Sequence, residues 1–291
     1  MIYILLSIIF STSLVVIFRI YKTYSINSFQ AIVFNYITAS ILGFSLSSGV
    51  VNIQSILTAN WLGFALFLGL FFIIIFNVLG FAVQTVGITP VAIAQKMSVV
   101  VPVVFAILYF NESAGIVKII GMVLALFAIY FASAKEKVES KVESKGMAQF
   151  ILPAIIFFGS GIIDTMLKYV QEEKLQGTDP NLFTTLLFAS SAMVGITMLV
   201  YLLITGKQKL EFKNIVAGIV LGVPNYFSVI FLIKALNHKT LESSVIFPIN
   251  NIGIIMLNTF IAWLVFKEKL SGKNLMGIGL AVIAILIISF S

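Results

Sequence analysis

The chain has 291 residues, of which 60% are hydrophobic and only 10% charged, where a soluble domain carries about 25% charged residues. With a mean hydropathy of +1.13 it cannot cover a water-facing surface with polar side chains, which excludes a cytosolic enzyme, a nucleic-acid binder and a disordered tail. The net charge of +7 does not alter this, because the 18 Lys and Arg residues are scattered between apolar runs, the placement expected of loops at a lipid surface.

There is no cysteine and one histidine, His238. Thiol catalysis, disulfides, thiolate zinc sites and iron–sulfur clusters are therefore excluded, and a histidine-based metal or acid/base cluster cannot be assembled. No cofactor and no enzymatic activity are expected, and the balance moves toward transport.

Met1 leads directly into an apolar stretch with no basic residues before it. Arg19 and Lys22 follow, without a small-residue cleavage pattern, so this segment reads as a retained first membrane helix. A helix needs roughly 20 apolar residues to cross the hydrocarbon core. The runs predict helices over 2–18, 27–47, 60–84, 88–109, 114–133, 148–170, 180–204, 214–236, 242–265 and 271–290. The first is short. The third and fourth meet at Gly87-Ile88-Thr89-Pro90, where proline suits a first helical turn. Ten spans result, or nine if one pair is misread. The run KEKVESKVESK, Lys135 to Lys145, reads as a solvated linker with five spans on each side.

The two sides resemble each other. A shift of 156 places Ala106, Leu108, Phe110, Glu112, Gly121, Leu124, Ala125, Ala128, Ile129 and Ser133 on Ala262, Leu264, Phe266, Glu268, Gly277, Leu280, Ala281, Ala284, Ile285 and Ser289. A shift of 153 places Leu68-Gly69 on Leu221-Gly222 and Ala82 on Ala235. Five spans per copy is an odd number, so the second copy begins on the opposite side of the membrane. Inverted repeats are the symmetry basis of alternating access.

The pattern Pro102-Val103, Leu108-x-Phe110-x-Glu112, Gly121, and its second copy Pro248, Phe266-Lys267-Glu268-Lys269-Leu270, Gly277, resembles the EamA family of the drug/metabolite transporter superfamily. The resemblance covers two units, 1–133 and 148–291, joined by the charged linker 134–147. It implies an all-α membrane protein of about ten helices in two inverted five-helix repeats around a central cavity, without an ATPase domain, in a bacterial plasma membrane. Relatives move amino acids, nucleotide sugars, sugar phosphates and other small metabolites. The loop from Ser47 to Asn60 lacks the basic residues common in that family. Twelve of the basic residues fall on odd-numbered loops, so the positive-inside rule places both termini outside, whereas relatives mostly keep both inside.

Polar groups within spans are expensive and each needs a reason. Lys96, beside Gln95, lies about eight residues into the fourth span. It either meets an anionic substrate group or pairs with a carboxylate or carbonyl and only orders the bundle. The surrounding pattern is similar to sugar-phosphate and nucleotide-sugar carriers, where a lysine on this helix meets the anionic substrate. Asp164 and Lys168, four apart on the sixth span, can neutralise each other near an interface, with a gate or coupling role as the alternative. Asn77, Gly80 and Gln84 form one helical stripe. The eighth span carries Asn225 and Tyr226, the ninth Asn250, Asn251 and Asn258, and the second Asn35 and Tyr36. These amides are either interhelical bridges or contacts to a small polar ligand. Phe71-Phe72 reads as packing. Of eleven carboxylates only Asp164 falls within a span, which favours exchange or facilitated diffusion over proton antiport unless Asp164 or Lys96 titrates. Glu112 and Glu268 read as caps at the starts of the fifth and tenth spans.

The expected function is a secondary transporter, exporter or exchanger, of a small polar metabolite such as an amino acid. An exchanger of anionic metabolites is the alternative. A membrane enzyme acting on a lipid-linked substrate would need an acid, histidine or metal cluster that this sequence does not supply. A non-transporting receptor needs neither the deep lysine nor the repeat. The expected partners are a small-molecule substrate and the lipid bilayer, with no nucleic acid, and the chain is expected to be a monomer or weak homodimer.

Overall fold

The computed structural model describes residues 2–46, 56, 58–109, 115–133, 147–174, 180–236 and 243–290. Among them the regular elements are all helices: α1 (Ile2–Thr23), α2 (Ser28–Leu46), α3 (Leu62–Thr85), α4 (Ile88–Met97), α5 (Val100–Tyr109), α6 (Ile116–Ser133), α7 (Ala148–Glu173), α8 (Pro180–Ile204), α9 (Phe212–Leu236), α10 (Ser243–Leu264) and α11 (Gly272–Phe290). In hydrocarbon each backbone N–H must find its partner within the segment, and a helix achieves this alone. Among the described residues nine spans are long and apolar enough to cross a membrane, with Ile88–Tyr109 taken as one, and α10 adds the apolar stretch Ile249–Leu264.

Two expectations are corrected. The first span is not short: α1 runs 22 residues to Thr23. Arg19 and Lys22 do not end it, because both reach sideways to the last carbonyls of α3, Arg19 Nη1 to Val83 O at 3.3 Å and Lys22 Nζ to Gln84 O at 3.1 Å. Cations there meet carbonyls that lack intrahelical donors. The fourth span is not one helix but α4 and α5, broken at Ser98-Val99. Pro102 explains the break. It has no N–H for the Ser98 carbonyl, four residues earlier, and its ring crowds that oxygen. The Ser98 carbonyl accepts instead from Val101 N at 2.9 Å.

Small residues set the closest helix pairs. α6 and α11 pack along Gly121, Ala125, Ala128 and Ala132 against Gly277, Ala281 and Ala284. A Cβ on Gly277 would stand 2.6 Å from Ala132 N and 2.9 Å from Ala128 O. Gly222 brings α9 onto α2, where a Cβ would stand 2.6 Å from Thr38 Cβ, and Gly69 brings α3 onto α8, 2.6 Å from Ser190 Cβ. The glycines that coincide under the sequence shifts are thus glycines at helix crossings, where small residues let backbones approach.

The crossings come in exchanged pairs when each span is renumbered by five: α2–α9 with α3–α8, α1–α9 with α3–α7, and α4–α6 with α10–α11. The symmetry is broken in one respect. α1 packs on α3 and touches α4, while among the described residues the counterparts α7–α9 and α7–α10 are not packed together. The bundle is held shut at the end where Arg19, Gln84 and Ile88 lie.

The shut end carries a polar network. Gln30 Nε2 donates to Gln208 Oε1 at 3.0 Å and to Lys209 O at 2.9 Å, Asn214 Nδ2 donates to Gln30 Oε1 at 2.8 Å, and Asn214 Oδ1 accepts from Asn27 N at 2.9 Å. Asn214 and Gln30 are both buried. Asn214→Ala is expected to cost about 1–3 kcal/mol, because it orphans the Asn27 N–H and leaves the buried Gln30 amide oxygen with only a long bond from Glu211 N at 3.5 Å. A lowered melting temperature in detergent checks this.

Candidate functional site

The site is built around the break between α4 and α5. The broken turn puts the Ser98 hydroxyl between two acceptors, Gln95 O at 2.6 Å and Asp164 Oδ2 at 3.2 Å. Its single proton serves one at a time. α7 comes close enough for this because Gly161, one turn before Asp164, lies directly against Val101. Asp164 is exposed, and Lys96, two residues before Ser98, is half-buried. Their charges act on each other, yet no ion pair within 4.0 Å joins them. Asp164 thus meets Ser98 at the break between α4 and α5; the other expected contact of Asp164 is to Lys168. The Lys168 side chain lies outside the described residues.

The remaining candidates divide by partner. Tyr36 is fully buried and donates to Phe72 O at 3.1 Å, and Asn225 Nδ2 donates to Asn35 Oδ1 at 3.1 Å across α2 and α9. Both bridge helices, and neither is exposed. Tyr226 is buried among hydrophobic side chains. Asn77 Nδ2 donates to Ile73 O within its own helix at 2.7 Å, and Gln84 Nε2 donates to Ser28 Oγ at 2.8 Å. These two line a shallow groove of about 410 Å³ with Ser28, Val78, Phe81, Leu152 and Ile155, away from Lys96. Gln95 and Asn251 are half-buried.

A second polar set stands without partners. Asn258 is completely buried, and neither its amide oxygen nor its nitrogen has a hydrogen bond among the described residues. The same holds for the hydroxyls of Thr12, Thr89 and Thr259 and for Asn250 Oδ1. Each such orphan costs about 1–3 kcal/mol. Packing register puts four of them at one level. Ile8 on α1 lies against Gly253 on α10, so Thr12, one turn on, stands level with 257–258. Ile93 on α4 clusters with Ile255, so Thr89, one turn back on the antiparallel helix, stands level with Thr259. Thr12, Thr89, Asn258 and Thr259 thus share the seam of α1, α4 and α10.

Glu268 closes the shut end above that seam. The expectation that it caps the tenth span is corrected. α11 is capped by Ser271 and Asn274, with Asn274 N to Ser271 Oγ at 3.2 Å and Ser271 N to Asn274 Oδ1 at 3.0 Å. Glu268 caps α4 of the other half, accepting from Ile88 N at 3.0 Å, and its carboxylate stands 3.9 Å from Arg19 of α1. An anion at a helix N-terminus and a cation beside it favour the same closed arrangement. Gly87, at φ +118°, has no Cβ to obstruct the Glu268 carboxylate. Glu112 lies outside the described residues.

Residues 145–290 match the EamA-like transporter family. A Haemophilus influenzae protein described as "Uncharacterized protein" is 33% identical over 277 residues, covering 94% of this chain and 92% of that protein. The chain belongs to the EamA-like transporter family. The matched region corresponds to the second of the two units read from the sequence. This EamA-like chain is a multi-pass membrane protein of a transporter family, and the resemblance drawn from Phe266-x-Glu268 and Gly277 holds. Sequence reasoning missed Ser98 and Arg19. Pro102 carried the signal for the first, since the carbonyl it leaves unbonded is that of Ser98; for Arg19 the sequence offered none, because its partner lies 249 positions away.

Proposed function

We propose that this EamA-like protein is a secondary transporter of the bacterial plasma membrane that moves a small zwitterion, such as an amino acid, by alternating access. One observation carries the substrate class: Lys96 and Asp164 bring opposite charges to the α4–α5 break, Lys96 two residues before Ser98 and Asp164 hydrogen-bonded to it, without an ion pair within 4.0 Å between them. A ligand that carries both charges satisfies both, with its carboxylate at Lys96 and its ammonium at Asp164. Ser98 holds the Asp164 carboxylate in place from α4. An anionic metabolite gains from Lys96 but is repelled by Asp164, which weighs against that alternative. The exchanged helix pairs of the bundle support alternating access, because inverted repeats exchange roles between states.

The test is a melting-temperature panel on purified protein with amino acids, sugar phosphates, nucleotide sugars and dicarboxylates. A bound ligand at a hundred times its Kd stabilises by about 2.7 kcal/mol. Zwitterions are expected to raise the melting temperature and the anions to leave it unchanged. Stabilisation by the anions alone would transfer the reading to anionic-metabolite exchange.

A further inference from the structure

We infer that Thr12, Thr89, Asn258 and Thr259 form the polar lining of a second access route, shut in this conformation, and that the Glu268 contacts to Arg19 and the α4 N-terminus are the latch that shuts it. The inference rests on the transporter reading. Four polar side chains at least nine-tenths buried, without hydrogen-bond partners, converge on one level of a membrane bundle. Most buried polar groups in folded proteins have a hydrogen-bond partner, so each group without one needs an explanation. A dry, permanently packed seam offers none, since aliphatic side chains of the same shape would fill it without desolvating polar atoms. Groups that face water or substrate in another state, and lose it on closing, account for all four together.

The seam also lies where the two halves of the bundle differ. α1 touches α4 and packs on α3, whereas α7, its counterpart, is not packed on α10 or α9 among the described residues. Opening this end therefore means that α1 parts from α4 and α3. That movement exposes Thr12 on one wall, Thr89 on the other, and Asn258 and Thr259 behind them. It also separates the groups holding α1 to this end, Arg19 from Glu268 and Arg19 and Lys22 from the Val83 and Gln84 carbonyls, while Glu268 stays seated on Ile88 N as the fixed half of the latch. A polar lining that costs free energy when closed, beneath charge-assisted contacts that favour closure, gives two states of similar free energy, which a carrier needs in order to alternate.

The chain has no cysteine, so single cysteines report directly. Asn258→Cys in otherwise unaltered protein is expected to react slowly with a small water-soluble thiol reagent. Combining it with Glu268→Gln, which keeps the shape and removes the charge, is expected to raise the rate at least tenfold. Asp164→Cys is expected to react readily without Glu268→Gln. Equal rates at position 258 with and without Glu268→Gln would overturn the proposal, while uptake by the parent protein in vesicles tests the transporter reading separately. A second measurement covers the case in which the amide holds a permanent water or ion. Asn258→Leu is expected to raise the melting temperature and slow uptake, because it favours the shut seam. A lowered melting temperature would show a fixed partner and overturn the proposal.

Discussion

Lys96→Ala is expected to insert and fold with a melting temperature at or above that of the parent protein, and to bind zwitterionic ligand at least about thirty-fold more weakly. The first part follows because Lys96 makes no ion pair within 4.0 Å. Removing an unpaired, half-buried ammonium relieves desolvation and leaves no orphaned acid in direct contact. The second follows because truncating one partner of a desolvated charge pair costs about 2–5 kcal/mol. Lys96→Arg is expected to rescue poorly, since a planar fork does not reproduce a compact ammonium. Asp164→Asn sharpens the test. It should weaken a zwitterion by a similar factor and strengthen a purely anionic ligand, because it removes repulsion. Melting temperature and ligand titration on one preparation read all three variants. A stable Lys96→Ala protein with unchanged binding would remove Lys96 from the site, and a strongly destabilised one would assign it to structure.

Gly277→Leu is expected to abolish assembly of the folded protein. The obstacle is backbone, Ala132 N and Ala128 O, which cannot swing aside as a side chain can. Accommodating a leucine would push α11 off α6 along their interface, for a cost at the upper end of the roughly 1–3 kcal/mol typical of overpacking or beyond it. Gly279, two residues on, has nothing within 4 Å of a built Cβ, so Gly279→Leu is expected to be neutral. Monodisperse yield after detergent extraction distinguishes them. Equal yields would mean that the α6–α11 crossing is looser than its glycines imply.

Much of this architecture was legible in the sequence because a membrane imposes one length and one composition on every span. The span boundaries fell close to the observed helices for that reason, and the repeat was visible because its surviving identities include Gly69, Gly121, Gly222 and Gly277, whose substitution the crossings do not tolerate. The break at Ser98 was hidden by an unbroken apolar run, since hydropathy does not register the loss of one backbone hydrogen bond. The site was legible as residue types and not as partners. Lys96 stood out as a deep charge, but that Asp164 meets Ser98 depends on Gly161 letting α7 approach α5, a tertiary fact. Tyr36 and Asn225 matched the pattern of ligand contacts equally well and proved to be bridges, because an amide that spans two helices and one that faces a ligand look alike along a chain.

The partnership of α6 with α11 also bears on how the protein is made. The small-residue face of α6 is complete when residue 133 has been synthesised, but its mate begins at Gly272. Likewise α1 finds its main neighbours in α9 and α10, and α2 in α8 and α9. No early block of helices can reach its final packing while the chain is still growing. The first five spans must wait in the bilayer as separate, individually stable helices, the first of two stages in membrane-protein folding. Chains truncated ahead of Gly272 are then expected to insert and yet remain substrates for membrane proteases, with resistance appearing only once the last helix is in place.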